Sequence, residues 1–207
     1  MKILGLDSSG LVASVAIAED DNLLGEYTVN YKKTHSQTLL PMLDEIVKMT
    51  ETARMIELDL SSIDAIAVAG GPGSFTGLRI GSATAKGLGL ALEKPILNVP
   101  TVDALAYNLV GHRDMVCPLM DARRNQTYTG LYRFDGNDMQ VLRGECAVGI
   151  DEIAAESRPQ VPGGAAHRRI HRQINQRTDP IASFRGNLHI SSSLYPLSPD
   201  LFHSNLI

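Results

Sequence analysis

The apolar positions of this chain change period several times, and each change marks an element. Alternating apolar and small residues over Lys2 to Asp7, Leu11 to Ala18 and Leu23 to Asn30 predict three consecutive strands. Ser8-Ser9-Gly10 and Asp20-Asp21-Asn22 are turn-forming segments between them. The period then becomes helical. Leu39, Leu40, Leu43, Ile46, Val47 and Met49 recur at three- and four-residue steps, predicting a helix from Ser36 to about Met55. The β-branched run Ile63 to Ala69 predicts a buried strand, and the Ala/Gly/Leu-rich stretch Leu78 to Leu92 a second helix. A short strand, Ile96 to Val99, leads into a helix from Thr101 to about Val110, with Asp103 in its first turn. Met115 to Met120, Thr127 to Arg133 and Met139 to Glu145 predict the strands of a second unit.

Between the buried strand and the second helix lies Gly70-Gly71-Pro72-Gly73-Ser74-Phe75-Thr76-Gly77-Leu78-Arg79-Ile80-Gly81. A strand, a glycine-rich turn and a helix start direct backbone N–H groups and the positive end of a helix dipole at one spot, which suits an anion. The loop is not a Walker A loop, because Lys86 is followed by Gly87 and no Gly-Lys-Ser/Thr occurs. Nor is it the dinucleotide fingerprint: Gly71 and Gly73 fit, but Thr76 takes the third glycine's place. The competing reading is a plain connection in which Pro72 fixes one φ and Ser74 or Thr76 caps the helix. Asp7, Ser8, Gly73, Ser74, Thr76, Gly77 and Arg79 are the candidate nucleotide- or anion-binding residues, with Asp7 and Ser8 at the end of the first strand. Arg79 opposes the dipole in the helix's first turn, which calls for a partner anion or carboxylate.

The string GGPGSFTGLRIG resembles the signature of the bacterial TsaB (YeaZ-type) family. The likeness extends to Ile3-Leu4-Gly5-Leu6-Asp7-Ser8-Ser9, to His35-Ser36-Gln37 with Leu39-Leu40-Pro41-Met42, and to Ala83-Thr84-Ala85-Lys86-Gly87-Leu88. It reaches Pro118-Leu119-Met120-Asp121-Ala122-Arg123-Arg124 with Thr127-Tyr128, and so covers roughly residues 1 to 150. Three strands, a helix, a strand and a helix is also the order of the ribonuclease H-like unit. The resemblance implies an α/β fold of two such units, as in actin, Hsp70 and sugar kinases (the ASKHA fold). The expected division is 1–100 for the first unit, 101–156 for the start of the second, and 157–207 for an atypical tail.

The resemblance also implies a function. Members of this family are non-catalytic scaffold subunits of the complex that forms N6-threonylcarbamoyladenosine at position 37 of tRNA. There TsaD transfers the threonylcarbamoyl group and the ATPase TsaE joins the pair. The implied partners are TsaD in a heterodimer, TsaE, and a second copy of the chain when TsaD is absent; tRNA is reached only through the complex. No cofactor is certain, and ATP or ADP with Mg at the partner joint is the candidate. A scaffold pairs through apolar surface, and the two long helices offer it: Leu39, Leu43, Ile46, Ala83, Ala85 and Leu88 are the expected interface. The second helix is rich in small residues, which permit close approach but lower its intrinsic stability by up to about 1 kcal/mol per glycine.

Composition narrows the classes. Hydrophobic residues make up 43% and charged residues 20%, ordinary for a globular domain, and no run approaches a membrane span. The N-terminus lacks the pattern of a signal peptide, and with two cysteines, Cys117 and Cys146, a reducing cytoplasmic location is expected. Residues 1–156 carry an acidic excess, which argues against autonomous tRNA binding. Residues 157–207 have six Arg, no Lys and no Glu, and hold four of the six histidines. That abrupt change, together with loss of the likeness, leads us to expect a shift of reading frame near residues 156–160; the alternative is a divergent or disordered extension. Resequencing the gene decides between the two.

Catalytic and metal residues are not expected. His35 and His112 are far apart, and the one His-x-x-x-His spacing, His167 to His171, lies among arginines in the tail. Asp121, Arg123 and Arg124 read as a solvated charged turn. Two other classes stay open: a stand-alone ASKHA-type ATPase or kinase, and a glycoprotease-like peptidase, for which no Ser/His/Asp set or activated Cys can be assembled.

Overall fold

The computed structural model describes residues 1–20, 22–30, 35–54 and 59–156, with only the backbone path given for 35–37 and 52–54. The tail 157–207, with its His167/His171 spacing and the expected change of frame, lies outside the described residues, as does Met55. The chain divides into two units, the first running from Met1 to Asn108 and the second beginning at Leu109.

Among the described residues the first unit is a five-stranded sheet carrying three α-helices. Its strands are β1 (Lys2–Asp7), β2 (Ala13–Glu19), β3 (Asn22–Val29), β4 (Ala65–Gly71) and β5 (Ile96–Pro100), in the order β3-β2-β1-β4-β5. β1 pairs antiparallel with β2 (Asp7 opposite Ser14) and parallel with β4 (Leu6 opposite Val68). The helices are α1 (His35–Arg54), α2 (Phe75–Leu92) and α3 (Thr101–Tyr107). This mixed sheet, with a hairpin-linked trio followed by parallel crossovers, is the ribonuclease H-like, ASKHA-type α/β arrangement. β2 begins two residues later than its alternation suggests, because Leu11 is exposed in the turn.

α1 and α2 cover one face of the sheet. Leu39, Met42, Leu43 and Ile46 of α1 and Ala85 of α2 close over Leu4, Leu6, Val15, Ile17, Ile66 and Val68. Removing this layer from water stabilises the unit by roughly 25 cal/mol per Å² of apolar area buried. The opposite face is paved with smaller side chains, Ile3, Ala16, Ala18, Ala65, Ala67 and Leu97. α3, assigned from sequence to the second unit, packs on β4 and β5 and so belongs with the first.

The second unit contains β6 (Leu119–Asp121), β7 (Gln126–Asp135) and β8 (Asp138–Gly149) in an antiparallel sheet, order β6-β7-β8, followed by α4 (Ile150–Glu156). Leu131, Val148 and Ile153 form its core, which joins α4 to the sheet. Arg143 on β8 fixes the helix from outside, donating to Glu152 at 3.2 Å and to Glu156 one turn on. The turn between β6 and β7 holds Arg123, Arg124 and Asn125 at φ of 63°, 51° and 58°. Three successive left-handed non-glycine residues cost roughly 1 to 2 kcal/mol each.

Candidate functional site

The C-terminal ends of β1 and β4 are where an open α/β sheet of this order gathers ligands, and the glycine loop lies there. Ser74 caps α2: its hydroxyl accepts from the Gly77 N–H at 3.3 Å, and its φ and ψ are extended. The helix therefore starts at Phe75, three residues ahead of the boundary its apolar period suggests. Gly71 adopts φ 117°, which a side chain disfavours, and its bond to Pro72 is cis.

Asp7, Ser8, Gly73, Ser74 and Gly77 meet at this place, held together by their own hydrogen bonds. The Asp7 carboxylate accepts from the Ser9 N–H at 2.6 Å. The buried Ser8 hydroxyl donates to the Gly77 carbonyl at 2.8 Å. The Ser74 N–H donates to the Ser9 carbonyl at 2.6 Å. Close approach depends on absent side chains: a Cβ on Gly77 would lie 1.9 Å from the Ser8 carbonyl oxygen, and one on Gly73 would lie 2.5 Å from that of Ser9. Three groups that a phosphate would use are thus spent: the Ser8 hydroxyl and the Ser74 amide on the seam between the β1–β2 turn and α2, and the Gly77 amide on the Ser74 cap. Thr76 and Arg79 stand apart from it. Both are exposed, and the Arg79 guanidinium lies 5.4 Å from the centre of the Phe75 ring, a cation–π contact.

The expected interface residues divide differently from the expectation. Leu39, Leu43, Ile46 and Ala85 belong to the core beneath the helices, and Leu88 packs against it. Only Ala83 faces outward. The physical reason is that each helix has one apolar stripe, and the sheet takes it. The small residues of α2 follow the same logic. Gly77, Gly81, Ala85 and Gly89 recur every four residues on the buried side, letting the helix approach Ser8, Val68 and Ile96 closely. What α2 presents outward is Phe75 and Leu90, 74% and 84% exposed, together with Arg79, Ala83, Lys86 and Gly87. α1 adds the exposed Leu40 and Met49. Sequence reasoning missed Phe75 and Leu90; their helical offset from the buried glycines was the available signal.

The two cysteines flank Thr129. The Cys117 sulfur lies 3.3 Å from its hydroxyl, and the Cys146 thiol donates to its carbonyl at 3.6 Å. They sit on opposite sides of β7, so about 9 to 10 Å separates their backbones, beyond the roughly 7 Å limit of a disulfide. Burial raises the Cys117 thiol pKa, outweighing the opposing contact with Thr129. A raised pKa keeps the inert, protonated form dominant to higher pH. Alkylation of Cys117 by iodoacetamide, followed by mass spectrometry between about pH 7 and 10, will therefore have its midpoint above the ordinary thiol range. A midpoint within or below that range would contradict the burial.

Among the described residues no cluster of three or more His, Cys, Asp or Glu is placed to hold a metal ion, and no helix is long and apolar enough to cross a membrane. The family model described as "TsaD: tRNA N6-adenosine threonylcarbamoyltransferase" matches residues 22–195. The "tRNA threonylcarbamoyladenosine biosynthesis protein TsaB" of Bacillus subtilis is 38% identical over 134 residues, covering 65% of this chain and 56% of that protein. The protein of the same name from Escherichia coli is 32% identical over 165 residues, covering 79% of this chain and 68% of that protein. The solved structure of YeaZ from Pseudomonas aeruginosa superimposes with a TM-score of 0.64 at 30% identity, covering 80% of this chain and 72% of that one. The match thus spans little more than half of the Bacillus subtilis relative's length. With a family model matched over most of its length, a relative 32% identical that it covers to 68%, and a solved structure superimposed at a TM-score of 0.64, the chain belongs to the TsaB (YeaZ) family, whose fold carries the TsaD-like domain.

Proposed function

We propose that this chain is a scaffold subunit of the complex that forms N6-threonylcarbamoyladenosine in tRNA, pairing with TsaD and performing no group transfer itself. The observation that carries this reading is the outward face of α2. Phe75 and Leu90 stand almost fully in solvent at its two ends, with Ala83 and Gly87 between them. A Cβ on Gly87 would meet nothing within 4 Å, so the middle of the face is open to close approach by another helix. The glycine seam supports the same reading, because its polar groups hold two segments of the scaffold together. In this account a second copy of the chain occupies the α2 face when TsaD is absent, TsaE joins the assembled pair, and any Mg–nucleotide binds at the joint between subunits.

Pairing is tested by co-expressing the full chain with TsaD and sizing the purified product. A stable one-to-one species is expected. Separate elution of the two proteins at concentrations of about 10 μM, well above the Kd of a specific interface, would contradict the proposal.

A further inference from the structure

The turn between β6 and β7 is built unlike an ordinary hairpin. Asp121 at the end of β6 accepts from the Arg123 N–H at 2.8 Å, and the Gln126 N–H returns to the Arg123 carbonyl at 2.9 Å. These bonds hold Arg123, Arg124 and Asn125 in three successive left-handed conformations without a glycine among them. All three side chains are exposed. Among the described residues neither guanidinium forms an ion pair, and the amides of Arg124 and Asn125 have no acceptor. The nearby acids Glu152 and Glu156 are occupied by Arg143. An acidic chain thus carries, on a hydrogen-bonded turn, two unneutralised guanidinium groups beside two open N–H donors. Guanidinium forks match phosphate oxygens in pairs, and adjacent free amides extend the same donor surface.

We propose that the Arg123-Arg124-Asn125 turn is a phosphate-binding tip that takes a backbone phosphate of tRNA once the complex has formed. This rests on the reading of the chain as a subunit of the tRNA-modifying complex. The acidic surroundings explain why the tip would act within the assembly and not as an autonomous RNA-binding site. Its contacts carry no base information, since Arg on phosphate positions without reading sequence.

The test compares the full chain with Arg123→Gln/Arg124→Gln, each assembled with TsaD, in titrations of a tRNA transcript at several salt concentrations. The tip predicts an affinity loss of about tenfold at low salt and a salt slope shallower by about 1.5, as expected when two phosphate contacts vanish. Sizing the same samples separates the two readings. An intact pair with unchanged affinity and slope would overturn the phosphate tip while leaving the scaffold reading in place. Loss of pairing in the double variant would also overturn it, since the arginines would then be holding a protein carboxylate. Failure of the unaltered chain to pair would fall on the scaffold reading itself, and the tip would fall with it.

Discussion

Gly77→Ala will lower the stability of the first unit by roughly 3 kcal/mol, near the upper end of what overpacking usually costs, with a fall in Tm of about 10 °C or more. The added methyl would lie 1.9 Å from the Ser8 carbonyl oxygen, so α2 and the β1–β2 turn must separate. Separation strains the Ser8–Gly77 hydrogen bond and the Ser74–Ser9 bond beside it, whose net worth is about 1 kcal/mol each. The same replacement three turns along the helix has the opposite sign. A Cβ on Gly87 would meet nothing within 4 Å, and the residue is exposed inside the helix, so Gly87→Ala will add about 0.5 to 1 kcal/mol. Thermal melts of the two variants, compared with the unaltered chain, check both signs. Equal effects from the two would mean that the seam is not packed as described.

Charges on α1 and α2 will divide in the same way between fold and partner. Leu90→Glu and Ala83→Glu place a carboxylate on the outward face, where it is solvated in the free protein, and change stability by no more than about 0.5 kcal/mol. In the complex proposed above the same carboxylate would be buried without a partner, a desolvation cost of several kcal/mol. Affinity for TsaD will therefore fall by about a hundredfold or more with the melt nearly unchanged. Leu43→Glu and Ala85→Glu behave otherwise. Both residues are enclosed by the sheet, so an unpaired charge there unfolds the unit, and any lost pairing follows from that. Binding titrations run beside melts separate the two classes. If TsaD binding survives charge at both Leu90 and Ala83, the α2 face is not the contact surface.

Much of the first unit was legible in the sequence because its periods are clean. β1 spans Lys2–Asp7 as expected, and the helical recurrence of Leu39, Leu43 and Ile46 marks the buried stripe of α1. The glycine string marked the strand–turn–helix junction, with Gly73, Ser74 and Gly77 in the seam and Thr76 and Arg79 outside it. What the string could not disclose is how their polar groups are used. The bond from Ser74 to the Ser9 carbonyl joins segments some 65 residues apart in the chain, and no local pattern encodes it. The face of α2 was misjudged for a related reason. Small residues suit either a neighbouring helix or the protein's own sheet, and only the position of Ser8 against Gly77 and Gly81 shows which side they serve.

The second unit was less readable. Its strands run further than the alternation shows, β8 reaching Gly149, because both faces of that strand are largely exposed and its apolar signal is weak. α4 escaped notice because it is short and depends on Ile153 packing against Leu131 and Val148. The left-handed run at Arg123 had no glycine to announce it; the nearest sequence signal was Asp121, two residues ahead of the amide that it holds.

The most direct measurement is reconstitution of threonylcarbamoyladenosine on a tRNA transcript supplied with the adenylate donor. We predict no product from this chain alone, little from TsaD alone, and full product when the two are combined with TsaE. Modified tRNA from the isolated chain, or undiminished product when the chain is left out, would contradict the account.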